Sequence, residues 1–275
     1  MNLSKKMQVR IAILDLYEGL DNQGMRCIRE IVQHWRNSVN FEVLCDEFEV
    51  RLKQEVPDTS YDFYISSGGP GSPLDSIGSH WEEKYFSWLQ QMEDWNNNEE
   101  NTSKKYVFFI CHSFQLAARH YNIGEVRKRN STAFGIFPIH MMEEGKEEKL
   151  FTGLKDPFYA MDSRDYQLVS PDYNRLAALG AQVLAIEKER SHVPYERAVM
   201  AVRFNKYFIG TQFHPEADSK GMSMYLQRED KKKTIIENYG EDKWHSMIER
   251  LNDPDKIMWT YNHILPNFLN YAAAV

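Results

Sequence analysis

The sequence predicts an α/β fold: a mostly parallel central sheet flanked by helices, with a helical extension at the C-terminal end. Three observations predict it. Strand-sized apolar runs alternate with helix-periodic segments over the first 125 residues, the pattern that yields parallel strands joined by right-handed crossovers. The second half is strand-rich. Beyond Lys220 the chain becomes polar with a helical repeat. A length of 275 residues suits one large domain with a modest appendage. The division expected is 1–226 for the α/β domain and 227–275 for a helical extension packed on the same body.

Residues 9–14 read as a buried first strand, followed by a polar loop over 15–23. Gly24 opens a helix with Met25, Ile28, Ile31, Val32 and Trp35 at helical spacing. Residues 41–44 and 63–65 are the next strands, and the latter runs straight into Ser66-Ser67-Gly68-Gly69-Pro70-Gly71-Ser72-Pro73. A helix over 79–95 leads to a polar, mobile loop over 96–105. The apolar run 106–110 is a fully buried strand with Cys111 directly after it, and a helical pattern over 115–121 ends at Gly124. Strands follow over 133–139, 158–161, 182–187, 198–203 and 207–212, the last leading into Phe213-His214-Pro215-Glu216. In the tail, Trp244, Met247, Ile248, Leu251, Ile257, Trp259, Ile264 and Phe268 make an apolar stripe.

Composition excludes several classes. The formal net charge of −7 is spread evenly, which argues against a nucleic-acid footprint. Lys231, Lys232 and Lys233 follow Glu229 and Asp230 and read as a solvated helix face. The longest apolar stretches are strand-sized, short of the roughly 20 residues that a membrane span needs. Lys5 and Lys6 precede no long apolar segment, so no secretory signal is expected. Cys27, Cys45 and Cys111 are too few for a disulfide framework and form no C-x-x-C pair for zinc, so a reducing cytoplasm is expected. No cofactor is expected, and the glycine-rich segment lacks the Lys-Ser/Thr of a phosphate-binding loop. Cys27, inside a helical pattern, and Cys45, ending a short strand, read as small buried hydrophobes.

Cys111 differs. A residue on the turn from a parallel strand into a helix is pushed out of the sheet at the crevice that borders the strands' carboxyl ends. It also faces a helix N-terminus, which favours a thiolate. Position alone also allows a structural cysteine. His214 and Glu216 likewise follow an apolar strand. Residues two apart in an extended segment share a side, so Glu216 can orient His214, and a thiol nucleophile needs such an oriented base. Gly68, Gly69 and Gly71 can take up positive φ and point backbone N–H groups into the crevice as oxyanion donors. Singly, each feature also fits an ordinary turn, strand end or surface pair. All three together, at strand ends and in this order, point to a cysteine hydrolase.

With these motifs the chain resembles the class I glutamine amidotransferase family, in its stand-alone, GMP synthase-type form. That family carries Ser/Asn-Gly-Gly-Pro-Gly after a strand, then G-x-C-x-G-x-Q, then Q-F-H-P-E. Here Ser67 to Gly71 and Gln212 to Glu216 match, and of Asp162-Ser163-Arg164-Asp165 only Asp165 fits the family's His-Ser-Asp segment. The resemblance covers roughly residues 8–226 and implies a flavodoxin-like fold. It implies Cys111 as nucleophile, His214 as general base and acid, and Glu216 as its orienter. The N–H groups of Gly69 and His112 would form the oxyanion hole, with Gln115 and Ser113 at the substrate. The implied reaction is hydrolysis of the glutamine side-chain amide. The implied partner is a separate synthetase taking the ammonia, since these residues hold no second large domain. A γ-glutamyl amide hydrolase acting alone, a triad-bearing acyltransferase and a non-catalytic binding protein fit the same residues. Phe109 and Ser113 stand where the family motif has glycines. Ser113 is expected either to point into the pocket or to push the elbow back.

Overall fold

The computed structural model describes residues 8–189, 196–251, 253 and 256–273. Five strands form the first half of the sheet: β1 (Gln8–Asp15), β2 (Glu42–Glu49), β3 (Phe63–Ser66), β4 (Tyr106–Ile110) and β9 (Phe208–Thr211). They pair in the order β2-β1-β3-β4-β9, all parallel. From β9 the sheet continues antiparallel through β8 (Val199–Arg203), β7 (Gln182–Glu187), β5 (Glu125–Met141) and β6 (Phe158–Val169). Crossover helices make the parallel pairing possible, since parallel strands cannot be joined by tight turns.

Those helices cover both faces. One face buries Met25, Ile28, Ile31 and Trp35 of α1 (Gln23–Ser38) against β1, β3 and β4. The other buries Trp88 and Leu89 of α2 (His80–Asn97) and Phe114 and Leu116 of α3 (His112–Tyr121), with Leu176 of α5 (Tyr173–Leu179). The α1 helix starts where expected because Asn22 caps it, accepting the Met25 N–H at 2.8 Å.

The C-terminal residues do not form one stripe. Met247 and Leu251 of α8 (Glu241–Leu251) join Met222 of α6 (Ser219–Leu226) and Ile235 of α7 (Glu229–Tyr239) in a separate small core. Ile264 and Phe268 of α9 (Ile257–Ala273) return to the main sheet, and the Phe268 ring stands edge-on to Phe108 at 5.2 Å. Trp259 is exposed. Lys233 is exposed and Lys232 lies over the Trp244 ring.

Four local expectations are corrected. Cys45 lies in the middle of β2, an edge strand, and is exposed rather than buried. The segment 96–105 is tied down, because the Asn96 side chain both donates to the Lys105 carbonyl and accepts from its N–H. The β5 strand starts at Glu125, its polar first half having hidden it, and its pairing with β6 shifts register between Lys128 and Ala133. Helix α3 begins at His112, three residues early, since its whole first turn is buried and shows no polar-apolar period.

Candidate active site

β3, β4 and β9 are neighbours and parallel, so the glycine segment, Cys111 and His214 leave the sheet at the same edge. Carboxyl ends of parallel strands are where such folds bind ligands. Cys111 is the N-cap of α3, at φ 48° and ψ −94°, a strained backbone for a residue with a Cβ. Two backbone bonds over-determine it: its N–H donates to the Thr211 carbonyl at 2.8 Å, and its carbonyl accepts the Gln115 N–H at 3.0 Å.

Both departures from the glycine pattern are accommodated. Phe109 pairs with Gly210 on β9, where a Cβ would stand 2.9 Å from that of Phe109, so the glycine lies across the ladder instead. Ser113 does not line the cavity above the elbow. It is fully buried beneath it, where its Oγ accepts the Ile110 N–H at 2.8 Å and donates to the Ser66 carbonyl at 2.7 Å. The hydroxyl therefore ties β4 to β3 immediately before the strained cysteine.

His214 Nδ1 lies 2.7 Å from Glu216 Oε1, and the carboxylate is almost wholly buried. Burial pushes the imidazole down, but the Glu216 carboxylate and the Cys111 sulfur outweigh it and hold His214 well above its ordinary value. With Nδ1 engaged, Nε2 is the nitrogen left for the thiol. Cys111 is buried, and its Sγ has the Ser163 carbonyl at 3.8 Å and the Gln212 amide at 3.7 Å.

The glycine segment works differently from expectation. Of its three glycines only Gly71 has positive φ, at 81°. Gly68 and Gly69 are required by close approach: a Cβ on Gly69 would sit 2.6 Å from the Leu16 carbonyl, and one on Gly68 would sit 2.9 Å from His214 Cε1. Gly69 and His112 both line the cavity over Cys111. The His112 side chain is buried away from water, which pushes its imidazole down to about 3 and keeps it neutral.

The cavity measures about 780 Å³ and brings together Cys111, His112, Gly69, Gln115, His214 and Glu216. Ser113 is outside it. Gln115 donates to the Tyr166 carbonyl at 3.1 Å and to Gln212 Oε1 at 3.0 Å, so it is held rigidly at the wall. Two groups escape a reading of the sequence. Gln212 is two residues before His214, and the two-residue period that links His214 to Glu216 could have found it. Tyr17 comes from the loop after β1 and carries no such signal. Its hydroxyl is beside the pair, since a Cβ on Gly24 would lie 2.8 Å from it and 3.2 Å from Glu216 Oε1. Burial, Glu216 and Cys111 hold the phenol well above its ordinary value. Among the described residues no cluster of His, Cys, Asp and Glu could hold a metal, and no helix is long and apolar enough to cross a membrane.

A family model described as glutamine amidotransferase class-I matches residues 20–231. No curated protein matches the chain. Among solved structures, a Thermotoga maritima glutamine amidotransferase superposes with a TM-score of 0.68 at 15% identity, covering 97% of this chain and 99% of that one. A glutamine amidotransferase from Methylobacillus flagellatus gives a TM-score of 0.60 at 15% identity, covering 96% and 94%. The glutaminase domain of Trypanosoma brucei CTPS, with bound acivicin, gives 0.58 at 14% identity, covering 97% and 94%. At these identities the likeness is one of fold.

Proposed function

We propose, because this chain belongs to the class I glutamine amidotransferase family, that it hydrolyses the side-chain amide of glutamine through Cys111, His214 and Glu216. The observation that carries the reading is a strained cysteine at a helix N-terminus, with an oriented histidine beyond the adjacent parallel strand.

In this reading the Cys111 thiolate attacks the amide carbonyl carbon. Gly69 and His112 N–H groups take the oxyanion, a contribution worth on the order of 10²–10³ in rate per donor. His214, charged and held by Glu216, gives its Nε2 proton to the departing nitrogen as the C–N bond breaks. A water then loses its proton to His214 and attacks the thioester, releasing glutamate and the thiolate. Gln115 and Gln212 fix the wall beside the sulfur. Where glutamine itself is the substrate, the ammonia passes to a synthetase on a separate polypeptide, as in the family, and the free thiols suit a reducing cytoplasm. The division at residue 226 separates the catalytic body from a helical extension that completes its cavity. Incubation with glutamine, with glutamate and ammonia measured and the acyl group sought on Cys111 by mass spectrometry, tests the reading. Turnover that survives Cys111→Ser would end it.

A further inference from the structure

The cavity is much larger than free glutamine requires. At about 780 Å³ it falls in the range, on the order of 300–1,000 Å³, of sites that enclose drug-sized ligands. Its polar groups are not confined to the Cys111 end, since Thr132, Asp165 and Arg228 also line it. Its apolar lining is made by Phe134 of β5, Met161 of β6, Met222, Met224 and Tyr225 of α6 and Ile235 of α7, with the Arg228 guanidinium over the Tyr225 ring. This wall is built rather than incidental. Met161, Met222 and Ile235 belong to the small core beneath α6 to α8, and the Phe134 and Tyr225 rings pack at 5.1 Å and 37°.

The wall also stands on a particular side of the reaction. His214 must protonate the departing nitrogen, so whatever that nitrogen carries projects to the histidine's side. Met161 is the histidine's neighbour across a backbone bridge, its carbonyl accepting the backbone N–H of His214 at 2.8 Å, and α6 starts five residues beyond His214. Ammonia makes no use of an apolar wall. An aromatic or aliphatic group does, because burying it is worth about 25 cal/mol per Å².

We infer that the preferred substrates are secondary γ-glutamyl amides whose nitrogen carries an aromatic or long aliphatic group. This rests on the Cys111 chemistry proposed above and concerns only the leaving group. The thiolate's S–C bond forms, the C–N bond breaks, and the His214 proton leaves on the amine as RNH₂. Water then supplies the oxygen of the γ-carboxylate and returns its proton through His214. The site therefore consumes the product of reactions that join glutamate through its γ-carboxyl to an apolar primary amine.

The test compares kcat/KM for glutamine with that for γ-glutamyl benzylamide and γ-glutamyl hexylamide, with Cys111 acylation followed by mass spectrometry. The expected result is a preference for the substituted amides of about tenfold or more, the low end of what a single methylene provides in an apolar pocket. Phe134→Ser with Tyr225→Ser should reduce the benzylamide-to-glutamine ratio by about tenfold. Met224→Ser, at an exposed side chain, should reduce it less and leaves packing intact. Glutamine turnover with no turnover of either substituted amide overturns this inference and leaves the chemistry standing. A ratio of one or less, or one indifferent to all three substitutions, also overturns it. Failure of every amide to acylate Cys111 overturns the chemistry itself.

Discussion

The two halves of the sheet are built on different plans. In the parallel half, β3, β4 and β9 are four or five residues long and buried throughout. All three stop at one edge, and there lie Gly68, Cys111 and His214. In the antiparallel half, β5 and β6 are 17 and 12 residues long, partly exposed, and end at opposite edges. Their contribution to the cavity comes from mid-strand positions such as Phe134, Met161 and Ser163. Parallel strands bring main-chain ends and a helix N-terminus to one point, where charge can be stabilised. Antiparallel strands present side chains, which shape a wall. In the proposed reading, chemistry falls to one half and selectivity to the other, and substitutions should separate them.

The largest expected effects are at the parallel edge. Cys111→Ser and His214→Ala should each lower kcat on the order of 10⁶-fold, and Glu216→Gln on the order of 10⁴-fold, by comparison with hydrolase triads. Steady-state amide hydrolysis measures this, and a Glu216 change as severe as the other two would make it more than an orienter. The same Glu216→Gln protein carries a second readout. With burial unchanged and the carboxylate gone, the His214 imidazole should titrate lower than in the parent, as followed by its ring-proton resonances. The stability that His214 gains from its raised value is present in full below its unfolded value near 6.5, and it is lost as pH rises through the folded value. Glu216→Gln should therefore weaken that pH dependence of unfolding.

Gly68→Ala comes next. Its Cβ would press on His214 Cε1, and a displacement of about 1 Å in a catalytic group can cost on the order of 10²-fold. An equal loss from a wall substitution in β5 would break the division between halves. Alkylation sharpens it further. Burial pushes the Cys27 thiol up to about 12, and Cys45 is exposed but sits within a strand, away from any helix N-terminus. Iodoacetamide at a pH of about 8 should label Cys111 about tenfold faster than either, by its helix N-terminus and His214. Peptide mass spectrometry ranks the three.

The smallest expected effect is at Ser113. Removing its hydroxyl strands the Ile110 N–H and leaves the Ser66 carbonyl a partner short, so Ser113→Gly should cost about 1–3 kcal/mol in chemical unfolding. Activity should fall with it. A more active Ser113→Gly would restore the view that the hydroxymethyl group obstructs the elbow.

Much of the site is legible in the sequence because its motifs are local. The spacing of His214 and Glu216, the apolar strand before Cys111 and the run of glycines each declare themselves within a few residues. Ser113 shows the limit. A serine in place of glycine reads as an intrusion, and only the structure shows the Ser66 carbonyl waiting for it from another strand. Phe109 is the same case, since the glycine that receives its bulk, Gly210, lies far along the chain. Cys45 misleads because an edge strand and a central one look alike over four residues.

By itself the sequence determined the order of strands and helices, the parallel half of the sheet and the three strand-end motifs, because backbone periodicity and turn chemistry are short-range. Only the tertiary structure decided which strands are neighbours, that Tyr17 joins the site, and that α6 and α7 contribute apolar side chains to the cavity. Those outcomes depend on packing between residues far apart in the chain, where each side chain's environment is set by partners that its own neighbourhood does not name.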